Sequence, residues 1–398
     1  MKKFLSTFSF WKGVAAAILL TGLYSTYVRF FQGLGASTNL SDQFPWGIWI
    51  GFDVMCGVGL AAGGFTLAAI VYIFNIKRFE PIIRPTILTA FLGYVLVIVG
   101  LMFDLGRPIQ IWHAIIMWNP HSVMFEVAWC VMLYTTVLAL EFSPAILEKF
   151  HMTRTIKAVK RISIPLIILG VLLSTLHQSS LGSLYLIVPE KMYPLWYTAY
   201  MPILFYTSAI AAGCAMIIFE SFLSSRAFKR GLEMHLLNEI ARVCAVMLGV
   251  YAMMKFMDLN DRHMLPMLLV PRTETYMYWL EVIVGVIAPF ALFTQRKVRH
   301  NPTGLFTGAA LVVCGFIMNR MNVALTAMEG WTGTKYFPSF TEFSITVMIV
   351  TIGFIAFYFI AKYFPVFTHE EHHDVRDAAS LWKKDIETVS TTIPVHHN

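Results

Sequence analysis

Residues 172–188, LLSTLHQSSLGSLYLIV, place four hydrogen-bonding side chains in a row within an apolar run: His177, Gln178, Ser179 and Ser180. An imidazole exchanges protons near neutral pH, and an amide with two hydroxyls can grip the oxygens of a bound molecule. A second polar group, Asp104-Leu105-Gly106-Arg107, closes another apolar run. If both runs leave a membrane on the same side, the two groups stand level with each other. They would then form a donor–acceptor cluster beside oil, which suits an apolar ligand carrying two oxygens, such as a quinone. The plainer reading of His177 is a helix-end cap.

Carboxyls form the other chemical set. Asp53, Glu126, Glu141, Glu220 and Glu281 lie inside or at the ends of apolar runs. A charge in hydrocarbon costs several kcal/mol, so such groups face a bundle interior, pair, or line a polar path. Glu126 and Glu141 are fifteen residues apart on one run, about 22 Å of helix rise and about 60° around the axis. Two carboxyls so placed can begin and end a proton route, with Asp53 as a further member. Glu141 has an alternative use as an ion-pair partner of Arg242, and Glu220 as a helix cap.

Metal chemistry is not expected on this chain. The five cysteines all sit in apolar runs with no CxxC spacing, so no iron–sulfur cluster, structural zinc or disulfide framework is predicted. Sorting the histidines by side gives His113, His121, His177 and His263 on one face and His151, His235 and His300 on the other. None falls mid-run, so no transmembrane haem with two axial histidines is predicted. The tail sequence HEEHHD reads as a solvated charged segment.

These residues need an all-helical membrane scaffold. The chain is 57% hydrophobic and only 13% charged, against roughly 25% charged in soluble domains. Apolar runs bracket at 14–34, 46–76, 83–103, 122–145, 162–177, 201–224, 235–255, 276–294, 303–320 and 343–363. Ten spans follow, in a membrane domain over residues 1–363 with a tail over 364–398. The first run lacks a small-residue cleavage site and reads as a retained helix. Alternate connections hold 22 of the 30 lysines and arginines, the other side 8. The positive-inside rule then places both termini in the cytoplasm. Connections on the opposite side are longer and rich in Trp, Gly, Pro and His, as in DLGRPIQIWHAIIMWNPHS. They suit a docking platform or cavity roof.

Several stretches together carry a family resemblance: FPWGIWIGFDVMCGVGLAAGGF, RPTILTAFLGY, DLGR, NPHSVMFEVAWCVMLYTTVLALEFSPA, LSTLHQSSLGSL and YWLEV, with weaker likeness at NRMNVA and YFPSFTE. By them the chain resembles the NrfD-like (polysulfide reductase membrane subunit) family, and within it the membrane subunits of hydrogenase-2-type NiFe hydrogenases. The resemblance implies two four-helix bundles made by the eight central spans, and menaquinone or ubiquinone as bound substrate near the outer face. It implies a periplasmic four-cluster ferredoxin-like iron–sulfur partner, with large and small NiFe subunits behind it, and no haem or cluster on this chain. Carried over by motif, His177 with its neighbour Gln178, and Asp104 with Arg107, mark the quinone end. Glu126, Glu141 and Asp53 mark the proton path. The polysulfide reductase branch builds its quinone pocket from residues this sequence does not share. A proton-coupled carrier and a passive membrane anchor are the rival classes. A carrier, however, keeps its polar residues near the midplane of paired repeats.

Overall fold

The structure, a computed structural model, describes residues 10–188 and 191–367. The chain divides after Val366. The tail histidines and the basic residues Lys2, Lys3, Arg376, Lys383 and Lys384 lie outside the described residues.

Among the described residues, ten helices are long and apolar enough to cross a membrane, and no strand is present. They are α1 (Phe10–Gln32), α2 (Trp49–Ile73), α3 (Lys77–Asp104), α4 (Val123–Lys149) and α5 (Ser163–Ile187). The second half contains α6 (Met201–Phe228), α7 (Met234–Asp261), α8 (Thr273–Thr294), α9 (Pro302–Thr332) and α10 (Phe340–Tyr363). Helix is the form that satisfies every backbone group within one segment, which oil demands. The long connections gather at one end of these helices, called the outer end below.

Helices α2 to α5 pack on one another as a first bundle and α6 to α9 as a second. Helix α6 joins them through α2 and α5, while α10 packs on α3 and carries α1 at its back. Where α2 crosses α6, a Cβ on Gly63 would sit 2.9 Å from the Gly213 carbonyl oxygen. Only hydrogen fits there, as at other close helix crossings in membranes. Helix α2 is irregular. It opens and closes with π-helical turns, Trp49–Val54 and Ala69–Ile73, and turns at Ala61–Ala62 between them. Ala62 donates to the Gly59 carbonyl, not to Val58 four residues back.

Two helices run ten or more residues further than their apolar runs. Helix α5 continues from 177 to Ile187 and α9 from 320 to Thr332. Both extensions begin at polar residues, His177-Gln178 and Arg320-Met321-Asn322, which resemble a membrane exit in a hydropathy pattern. The helix carries on because these side chains find partners inside the bundles. The same cause corrects the charge count: Arg29, Lys255 and Arg320, assigned to outer connections, are buried inside helices.

Candidate functional site

The first bundle holds a polar stripe between α4 and α5. On α4 the residues Glu126, Cys130, Tyr134 and Glu141 recur at spacings of four, four and seven, one face of a helix. On α5, Gly170, Ser174, His177 and Ser180 recur at four, three and three. At the outer end the Ser180 hydroxyl lies 2.6 Å from Glu126 Oε1 and 2.7 Å from the Leu176 carbonyl. A hydroxyl has one hydrogen for these two acceptors. Ser180 can donate to a Glu126 carboxylate, or donate to Leu176 and accept from the carboxylic acid. The contact therefore accommodates both protonation states of Glu126.

Below it, His177 is fully buried and its Nδ1 shares a hydrogen bond with the Tyr94 hydroxyl of α3 at 3.1 Å. The Tyr94 ring meets Tyr134 edge to face, with centroids 4.7 Å apart. Ser174 lies beside both phenols. Among the described residues, three buried atoms here meet no partner in hydrogen-bonding geometry: His177 Nε2, Tyr134 Oη and Ser174 Oγ. Buried polar groups are rarely left so, and a set of them in one place marks a polar interior. At the inner end Gly170 faces Val137, Tyr134 and Glu141. A Cβ there would sit 3.5 Å from Tyr134 Cε2 and 3.6 Å from Glu141 Oε1. Glu141 makes no ion pair among the described residues, with Arg242 or otherwise.

A small cavity between α2, α3 and α6 opens beside this stripe. Gly63, Gly64, Thr86, Thr89, Ala90 and Glu220 help to line it. Glu220 Oε1 and Thr89 Oγ1 are buried there without partners, and Tyr134 Oη is 3.8 Å from where a Gly64 Cβ would stand. Glu220 is thus a second inner carboxyl, facing a cavity beside the stripe. It lies eight residues before the end of α6, so it caps nothing.

The sequence-derived residues separate on this geometry. His177 and Asp104 are not level. His177 is ten residues inside the end of α5, and its partner Tyr94 is ten residues inside the end of α3, each about 15 Å deep. Gln178 donates from Nε2 to the Val58 carbonyl at 3.0 Å, the oxygen that the turn in α2 leaves without its backbone donor. That is a structural role, satisfying an orphaned acceptor. Asp104 sits beside Arg29, whose guanidinium donates to the Phe103 and Leu105 carbonyls, each at 2.6 Å, capping α3. Arg107 is exposed on the following connection. Asp53 accepts from Thr346 of α10 at 2.8 Å and faces Gly100 of α3, about 120° around that helix from Tyr94. Glu126, His177 and Glu141 line one stripe in that order inward, whereas Asp53, Asp104, Arg107 and Gln178 stand apart from it.

Tyr94, Tyr134, Ser174 and Thr89 were missed, whereas Glu220 was among the carboxyls expected inside the spans. A signal existed on α4, where Glu126, Tyr134 and Glu141 share a face, but nothing marked Tyr94 and Thr89 as inward-facing. The outer end is held by a third carboxyl. Buried Glu342 of α10 accepts from the Tyr336 hydroxyl at 2.5 Å and from the Asn39 and Ser339 amides. Burial and that hydrogen bond hold the Tyr336 phenol well above its ordinary range, so it remains a donor.

An all-helical membrane protein with a carboxyl–imidazole–phenol interior in one of two bundles is the class these observations define. The family described as "Polysulphide reductase, NrfD" matches residues 36–328, and the chain belongs to the NrfD family. It is 31% identical over 351 residues to the probable Ni/Fe-hydrogenase 2 b-type cytochrome subunit of Escherichia coli, covering 87% of this chain and 89% of that one. It is 28% identical over 400 residues to the menaquinone reductase integral membrane subunit of Nitratidesulfovibrio vulgaris, covering 92% and 93%. A selenate reductase subunit of Mesobacillus selenatarsenatis is 23% identical over 409 residues, at 90% and 94% coverage. These relatives are membrane subunits of oxidoreductases.

Proposed function

We propose that this chain is the quinone-reactive membrane subunit of a respiratory complex, with the outer end of the α4–α5 stripe as its quinone end. Electrons arrive from a periplasmic ferredoxin-like iron–sulfur subunit docked on the outer connections, and a two-oxygen headgroup meets Glu126 and Ser180 from the bilayer. Menaquinone and ubiquinone both carry the oxygens this cluster can grip. The observation that carries the reading is the Glu126–Ser180 contact, a carboxyl able to change protonation without losing its partner, standing above the orphaned His177 Nε2.

Each oxygen of a reduced quinone takes up a proton, and the stripe can supply it. Glu126 holds the proton at the outer end, the His177–Tyr94 pair relays beneath it, and Tyr134 with Ser174 leads inward. Glu141 and Glu220 are two inner intakes. With the basic connections in the cytoplasm, as the charge bias indicates, the termini are cytoplasmic and the protons come from the cytoplasmic side, so turnover moves charge across the membrane. The burial of Arg29, Lys255 and Arg320 supports that topology, because it removes three cations from the outer connections. Among donors we favour a hydrogenase-2-type NiFe pair, on the strength of the Escherichia coli relative. Purification with NiFe subunits and a four-cluster ferredoxin is the expected outcome, and a sulfur or selenium oxyanion reductase in their place would reassign the donor.

Glu126→Gln tests the role. It keeps shape and burial while removing the exchangeable proton. Quinone reduction by the assembled complex should fall about 100-fold or more, the range for loss of a general acid–base group. Full activity would leave the chain a passive anchor.

A further inference from the structure

The second bundle contains a buried charge set that the route above does not use. Glu281 of α8 is completely enclosed by donors. Its Oε1 accepts from Lys255 Nζ at 2.5 Å and Asn319 Nδ2 at 2.7 Å. Its Oε2 accepts from Asn322 Nδ2 at 2.9 Å and Trp196 Nε1 at 3.0 Å. None of these four groups can accept a hydrogen bond back. A proton on Glu281 would have to break one of them, so this carboxylate stays ionised.

Two cations face that one anion. Lys255 Nζ also lies 4.4 Å over the Tyr278 ring. Arg320 is 1% exposed and sandwiched between Phe205 and Phe316, 3.7 and 4.3 Å from the ring centroids. It donates to the Asn319 side-chain oxygen at 2.6 Å, to Ser208 at 2.9 Å and to the Phe205 carbonyl at 3.1 Å. Asn319 therefore links guanidinium to carboxylate. The neighbouring Asp258–Arg262 pair is balanced, its hydrogen bonds at 2.5 and 3.0 Å. The hydrogen-bonded set around Glu281 carries one net positive charge.

Its position gives this charge a use. Lys255 lies six residues from the outer end of α7, and Glu281 eight residues from the outer end of α8. Below them a cavity large enough for a water molecule is lined by Ser208, Tyr251, Glu281, Gly285, Phe316 and Asn319. Polar ground thus runs from the outer face toward the middle of the second bundle. Helix α6 is the shared wall: Ser208 points to this set, and Glu220, twelve residues on, lines the cavity of the first bundle. Water here would let a proton moving through the first bundle escape to the outer side. A fixed excess of positive charge in a narrow, low-dielectric space repels protons, as arginines do in water channels.

We propose that Lys255, Arg320 and Glu281 form a proton seal, which holds the polar outer half of the second bundle positive and confines proton traffic to the first. The proposal rests on the proton route above only for its purpose; passive proton conductance tests it without quinone or turnover. The purified complex is reconstituted in liposomes, a pH gradient is imposed, and its decay is followed with a trapped dye. Wild type should be tight. Lys255→Met and Arg320→Gln, each cancelling the excess charge, should leak several-fold faster. Lys255→Met/Glu281→Gln removes the pair together, keeps the Arg320 charge, and should be tight again. Single variants as tight as wild type would overturn the seal, and so would a leaky double variant, which would mean packing and not charge closes the bundle. If the single variants do not assemble, the double variant decides alone: tight supports the seal, leaky ends it. Loss of quinone activity in a tight Glu126→Gln complex bears on the quinone reading only.

Discussion

Each bundle keeps a carboxylate near its outer end, and the two differ in what surrounds it. Glu126 of the first bundle meets a hydroxyl that can donate or accept, beside unpartnered imidazole, phenol and hydroxyl atoms. Glu281 of the second meets four obligate donors, one of them a lysine at 2.5 Å. The same residue type meets a partner that fits both protonation states in one place and four obligate donors in the other. What distinguishes a reactive carboxyl from a structural one is whether its partners tolerate the acid form. Residue type, which a sequence offers, does not decide it.

Substitutions can break this contrast or sharpen it. The largest effect is expected at Glu126, where glutamine should cost about 100-fold or more in quinone reduction with the complex intact. The inner intakes should share their load: Glu141→Gln or Glu220→Gln alone should slow turnover a few-fold. The double variant should approach the Glu126→Gln rate, as measured by quinone reduction in matched preparations. If one single variant already abolishes turnover, the branch at Tyr134 is not used and the route is linear. The smallest effect on rate is expected at Gln178. Leucine there orphans the Val58 carbonyl, a loss of about 1–3 kcal/mol. It should appear as a lowered melting temperature with the rate per assembled complex unchanged. A specific fall in quinone affinity would return Gln178 to the site.

Fold class and span number were legible because hydrocarbon imposes long apolar helices on any chain that crosses it. The ends of α5 and α9 were not. Hydropathy reads His177-Gln178 and Arg320 as the edge of the membrane, and only packing reveals that Tyr94, Val58, Phe205 and Ser208 receive them. The same error placed His177 level with Asp104 and left the interior without a histidine. Glu126 and Glu141 were found because their spacing puts both on one helix face, a rule that works within a single element. Tyr94, Thr89 and Glu220 come to the stripe from α3 and α6, and no single-helix pattern shows which faces of different helices meet. Asp53 illustrates the reverse: a carboxyl within a span whose partner, Thr346, sits on the peripheral α10.

Infrared difference spectroscopy of the assembled complex, recorded between oxidised and reduced quinone pools, tests directly which carboxyl changes protonation. A band in the carboxylic acid carbonyl region is expected in wild type, absent in Glu126→Gln and retained in Lys255→Met/Glu281→Gln. A band that survives Glu126→Gln and disappears with the Lys255–Glu281 pair would contradict the account, placing the working proton in the second bundle.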